Sequence, residues 1–319
     1  MSVRLGVIIK FIIILEGLDR LCNETKEDFK VIKKIVWASD GSKDSLHALS
    51  HAENLARVFG AGIVGLYVIP EYFEVSTIDE FESERLDLLA SWIKEKESKG
   101  SNRLSSIAAE MHEKGLDFTT RIKQGVPYHR IVETAEEEEA DLIVVGKGKS
   151  HEKNVIGGTA LKVLRRSKIP VYIAKGEEPP KEIKKILVPT DLYRIMSRDL
   201  EVTLSIARQI DADVYSLNIV VTGEGKYPPK LIELARGDAY NKLTEQVEDA
   251  KLEDRIKTVV ETARNAWTGI VNFAKHKEID LIVMTTYGEY KMRKEDFLGN
   301  DTERVVQESH CPVITVRPI

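Results

Sequence analysis

Apolar residues fall into two rhythms along this chain. Short continuous runs such as Leu142 to Val145 read as strands buried on both faces, and longer stretches with apolar residues every third or fourth position read as amphipathic helices. In order, the pattern predicts a strand over Ile35 to Ser39 and a helix from about Ser45 to Phe59, where Leu46, Leu49, Ala52, Ala56 and Phe59 share one face. Gly60 ends that helix, and a strand over Ile63 to Ile69 is stopped by Pro70. Residues 80 to 114 read as helix interrupted at Gly100. Then come a strand over Phe118 to Ile122 and a helix entered through Gly125-Val126-Pro127 and running to about Glu138. The acidic run Glu136 to Glu139 reads as a solvated helix end.

The chain repeats itself. Lys33-Lys34-Ile35-Val36-Trp37-Ala38-Ser39-Asp40 recurs as Lys184-Lys185-Ile186-Leu187-Val188-Pro189-Thr190-Asp191. Asp141 to Val145 recurs as Asp280 to Met284, and Ser167 to Val171 as Ser309 to Val313. Three matches in one order mean two copies of one domain-sized unit. The second copy's strands fall near Ile186 to Pro189, Val214 to Val221, Ile256 to Val260, Leu281 to Thr285 and Val313 to Val316. A helix from about Met196 to Ile210 and a shorter middle region, Pro228 to Leu252, lie between them. The linker Gly176-Glu177-Glu178-Pro179-Pro180-Lys181 divides an N-terminal extension (1–30) and a first domain (31–176) from a second domain (183–319). Strands alternating with helices imply an α/β fold of two tandem doubly wound domains with parallel five-stranded sheets. In such a sheet a ligand sits beyond the carboxyl ends of the strands, where Asp40 and Gly146 should meet.

Composition narrows the class. A chain of 319 residues with 31% charged residues and a net charge of −5 is not built to coat nucleic acid. Cys22 and Cys311 have no metal spacing, which points to a reducing, cytoplasmic compartment. No run of eighteen apolar residues marks a transmembrane segment. Val7 to Leu15 is apolar apart from Lys10 and reads as an added strand or packed helix, ahead of a weak membrane-surface segment.

The stretch Asp141 to Lys175 carries the candidate chemistry. After the buried strand come Gly146-Lys147-Gly148, a polar stretch with Lys149 and Lys153, and Gly157-Gly158-Thr159 opening a helix over Ala160 to Arg166. Glycines let backbone approach a ligand, and a helix start offers bare N–H groups and a positive dipole end, the chemistry of a phosphate site. The same residues also suit a crossover loop with a Thr N-cap.

With the strand-one Asp40 and the Pro-Val of the last strand, this stretch resembles the universal stress protein family in its tandem form, over roughly residues 30 to 319. The resemblance implies a HUP or adenine nucleotide alpha hydrolase-like fold. It also implies binding of ATP, or of ADP or AMP, with magnesium, by a regulatory or stress-response module. Family members that bind ATP carry G-x2-G-x9-G-[ST]; here Gly146-x-Gly148-x9-Gly158-Thr159 keeps the long spacing and is one residue short in the first. Carried over on this pattern, Ala38, Ser39, Asp40 and Val68 meet adenosine, Gly125 belongs to the G-x-P before the third helix, and Gly146, Gly148, Lys149, Gly158, Thr159 and Ala160 meet phosphate. Asp40 also reads as an Asx turn at Asp40-Gly41-Ser42.

A second resemblance, of Asp40-Gly41-Ser42-Lys43-Asp44-Ser45 to the S-G-G-x-D-S loop of the PP-loop ATP pyrophosphatases, implies an adenylating enzyme. It ranks second, because a carboxylate at Asp40 repels pyrophosphate and Gly158-Thr159 has no role there. A module without nucleotide is the third reading. His47 and His51 have an i,i+4 spacing that can bind zinc, but no third ligand or H-E-x-x-H accompanies them. Without a placed nucleophile or base, any ATP hydrolysis should be slow.

Two expectations concern the copies. The terminal strands Pro170 to Ala174 and Pro312 to Val316 should pair, as family members pair them across a two-fold axis, making one chain a pseudo-dimer that could assemble further into a homodimer. Nucleotide should belong to the first copy. In the second, Thr285 replaces the first glycine, Gly299-Asn300 replaces Gly158-Thr159, and Asn300 to Glu303 reads as a capping box that consumes the N–H groups a phosphate needs.

Overall fold

The computed structural model describes residues 32–70, 82–148, 156–192, 198–249, 255–286 and 298–318. The N-terminal extension, with its apolar segment and Cys22, therefore lies outside the described residues, as do Lys149, Lys153 and Met196.

The first copy runs β1 (Lys34–Ser39), α1 (Lys43–Phe59), β2 (Gly62–Pro70), α2 (Glu82–Glu113), β3 (Phe118–Gly125), α3 (Pro127–Glu137), β4 (Leu142–Val145), α4 (Gly158–Arg166) and β5 (Val171–Ile173). The second runs β6 (Lys185–Pro189), α5 (Arg198–Ile210), β7 (Asp213–Val221), α6 (Pro229–Asp249), β8 (Ile256–Ala263), α7 (Ala266–Lys277), β9 (Leu281–Thr285), α8 (Asn300–Glu308) and β10 (Val313–Val316). The strands form one ten-stranded sheet in the order β3-β2-β1-β4-β5-β10-β9-β6-β7-β8. Each five-stranded half is parallel, and the halves meet antiparallel where Tyr172 of β5 stands opposite Ile314 of β10.

The repeated residues build this frame. The carboxylate of Asp141 accepts the Lys33 and Lys34 N–H groups at 2.8 and 3.1 Å. Asp280 accepts those of Lys184 and Lys185, both at 2.9 Å. Each Asp thus clamps the start of its copy's first strand. The repeated Ser does the same at the last strand, with Ser167 Oγ donating to Ile169 O at 2.6 Å and Ser309 Oγ to Cys311 O at 3.0 Å.

Two apolar cores sandwich the sheet, one on each face, and both run through both halves. Trp37, Leu49, Leu55, Met111, Leu200 and Val247 belong to one, and Ile131, Val163, Ile270 and Val305 to the other. Local chemistry sets the helix limits: Ser42 caps α1 by accepting the Ser45 N–H, and Gly60 closes it in the left-handed region at φ 65°.

Gly100 does not interrupt its helix, contrary to the reading of the sequence; α2 runs unbroken through it. A Cβ there would lie 2.5 Å from the Tyr67 ring, so the glycine serves close packing of α2 on β2. Among the described residues no helix is long and apolar enough to cross a membrane.

Candidate functional site

Parallel strands β1, β2 and β4 end together, and a cavity of 250 Å³ opens beyond their carboxyl ends. It brings together Ala38, Ser39 and Asp40 from the end of β1, Val68 from β2, Gly146 and Gly148 after β4, and Gly158, Thr159 and Ala160 at the start of α4. Lys149 falls outside the described residues. Gly125 does not line the cavity; it pairs with Pro70, which does, and holds φ 138° with the Arg130 side chain packed over it. Reading the sequence alone left out Ser42, Asp44, Ser45, Pro70, Ile131, Val145 and Gly157 from the wall. Pro70, Ile131 and Val145 carry no ligand signal in their types, and the ends of β2 and β4 with the crossing of α3 bring them there.

Glycine is required by contact here. A Cβ on Gly146 would lie 2.5 Å from Asp44 O, and one on Gly148, at φ 81°, 3.1 Å from the Gly157 Cα. Gly157 N–H donates to Lys147 O at 2.8 Å, drawing the two glycine segments into one cradle. Gly157 is the N-cap of α4 and has no side chain to cap it, while a Cβ on Gly158 would meet nothing within 4 Å. Among the described residues no side chain covers the positive end of α4, which borders the cavity.

The β1 end is held tightly. Ser42 N–H donates to Asp40 Oδ1 at 2.8 Å, which is the Asx turn, and Arg103 of α2 donates to Gly41 O at 2.9 Å. Burial works against the charge on Asp40, but hydrogen bonds from Ser42 and Ser45 outweigh it and hold the carboxyl below its ordinary range. Burial also lowers the Lys147 ammonium, opposed by the carboxylates of Glu308 and Asp44. Glu308 belongs to the second copy, so the glycine loop lies at the junction of the two halves. His51 is not poised for metal: it is buried, with Nδ1 2.8 Å from the Tyr172 hydroxyl.

The second copy's corresponding corner differs. Gly299, not Asn300, is the N-cap of α8, and no side chain caps it, so the capping box expected from the sequence is absent. Glu303 instead reaches across the seam to Arg165 at 3.5 Å, where an opposite charge is available. Gly299 N–H donates to Thr286 O at 2.7 Å as Gly157 does to Lys147 O, which aligns Gly299 with Gly157 and Asp301 with Thr159. Thr285 then stands where Gly146 does. Asp301 Oδ1 accepts the Trp267 N–H at 3.3 Å, setting a carboxylate at the starts of both α7 and α8.

Comparisons with known proteins agree with this frame. Universal stress protein MJ0531 of Methanocaldococcus jannaschii is 36% identical over 153 residues, covering 47% of this chain and 85% of the relative. MJ0577 of the same organism is 28% identical over 160 residues, covering 45% and 94%. A universal stress protein structure from Archaeoglobus fulgidus superposes with a TM-score of 0.66 at 19% identity, over 89% of this chain and 98% of that one. The sequence profile of the universal stress protein family matches residues 32–175 and again 182–317, and the chain belongs to that family in its tandem, two-domain form.

Proposed function

We propose that the first copy binds ATP, with magnesium accompanying the phosphates, and that the chain acts as a nucleotide-dependent regulatory module. One observation carries the reading: the glycine cradle and the uncapped start of α4 face the same cavity as Asp40 and Val68. A side chain at Gly146 or Gly148 would push the loop off Asp44 or Gly157 and open the cradle, so the glycines keep backbone at the wall where a phosphate can be approached. The volume of 250 Å³ suits an adenosine moiety, leaving the phosphates to the open rim at Gly158 and Thr159. An ionised Asp40 suits a sugar hydroxyl and disfavours an anion, which separates this reading from pyrophosphate chemistry.

Among the described residues the titratable side chains on the wall are Asp40 and Asp44, and the Ser42 and Ser45 hydroxyls that meet Asp40 are engaged in the turn that starts α1. Binding without rapid turnover follows. Asp301 supplies the second copy's helix starts with an anion of their own, which supports one tight site per chain. Calorimetry of the full chain with ATP and magnesium tests this. One tight site is expected; no binding, or two equivalent sites, would overturn it.

A further inference from the structure

Among the described residues the sheet ends at two edges, β3 and β8, and they are treated differently. In each edge strand the even-numbered residues turn their N–H and C=O groups outward, since Ile63 N–H bonds Asp117 O and Val214 N–H bonds Arg255 O on the inner side. On β3 three of the four outward carbonyls are covered: Phe118 O by His112 at 3.0 Å, Thr120 O by Arg121 at 2.9 Å and Gln124 O by Arg130 at 2.8 Å. Arg121 and Lys123, paired with Glu138 and Glu137, add charge along the same edge.

On β8, among the described residues, one outward carbonyl takes a side-chain donor, Val260 O from Arg236 at 3.2 Å. Beside it a groove of 730 Å³ separates β8 from α6, and Tyr240 in its wall is 49% exposed. Lys257 meets Asp213 and the Tyr215 ring of β7 within its own chain, and the charges of β8 are also self-complementary. An antiparallel copy of the strand centred on Val259 sets Lys257 opposite Glu261 twice, with Thr258 opposite Val260 as the hydrogen-bonded pair. The parities agree, because Thr258, Val260 and Thr262 are the residues whose backbone groups face outward. Centring β3 in the same way on Arg121 sets that cation against itself.

We infer that β8 is a docking edge for a second copy of this chain, paired antiparallel about a two-fold axis at Val259. Two chains then share a twenty-stranded sheet, with Arg236 released from Val260 O as the partner strand arrives. The contact is isologous, so it closes at a dimer.

Sedimentation of the full chain over a range of concentrations tests the pairing, together with hydrogen exchange of β8. A reversible dimer is expected, with the amides of Thr258, Val260 and Thr262 gaining protection as concentration rises. Glu261→Lys puts like charges opposite each other and should weaken the dimer about tenfold. Lys257→Glu with Glu261→Lys and Asp213→Asn, the last removing the carboxylate that Lys257 meets in its own chain, should restore it, an outcome that damage to the fold would not give. Thr258→Pro removes an outward N–H without touching the β7 ladder and should leave monomer. A chain monomeric at all concentrations, or a dimer indifferent to Glu261→Lys and Thr258→Pro, would overturn the inference.

Discussion

The Tyr172 hydroxyl lies 2.8 Å from Nδ1 of His51, and both side chains are buried beside the seam between the two halves. Among the described residues Nε2 of the same ring has no hydrogen-bond partner. Burial keeps the ring neutral and draws its pKa from 6.5 to about 4. The unfolded chain therefore takes up a proton that the folded chain refuses as pH falls from 6.5 to about 4. Stability should drop by about 3 kcal/mol across that window. In His51→Gln, denaturant melts between pH 7 and 4 should lose about one proton's worth of that slope. An unchanged slope would mean another group titrates.

A substitution at Gly158 tests the proposed ligand contact apart from the fold. Because a Cβ there meets nothing within 4 Å, and Asn300 occupies the matching position of α8, Gly158→Val should leave the melting temperature within a few degrees of the parent. Calorimetry should find tight ATP binding gone. Gly148→Val, by contrast, meets Gly157 backbone at φ 81° and should lose stability as well as binding.

Thr159→Asp brings the second copy's carboxylate into the first. If the start of α4 meets phosphate as proposed, an unscreened negative charge there should lower ATP affinity by about a hundredfold or more. Asp301→Asn should leave the stoichiometry at one, because Thr285 still occupies the glycine position. Isothermal titration of both variants decides the assignment, and a second tight site in Asp301→Asn would contradict it.

Separating the halves uncovers β5 and β10. Residues 31–176 and 183–319 expressed alone should each dimerise through that edge, and mixing should favour the natural pair. Lys175, which donates to Gln307 O at 3.0 Å across the seam, and the Arg165–Glu303 pair are contacts that only the mixed species makes. Light scattering showing two monomeric halves would refute this.

Much of this was open to reading in one dimension. The bounds of β4, β9 and β10 match the expected runs, because a strand buried on both faces leaves no ambiguity of period. Gly100 misled because its reason is the Tyr67 ring, thirty-three positions away in the chain. The capping box misled because Glu303 found Arg165 of the other copy, a partner no local pattern contains. The cradle itself was half legible: the glycine spacing signalled it, but the Gly148–Gly157 contact that makes both glycines obligatory appears only when the loop closes.

The antiparallel join of β5 and β10 reverses strand direction between the halves, so the carboxyl ends of the two sets of strands open at opposite rims of the sheet. In a symmetric dimer any substitution would strike both rims at once. Here Thr159 and Asp301 are separate positions of one gene product, free to diverge. One rim can keep the chemistry of a binding site while the other drifts toward a different task, without loss of the shared frame.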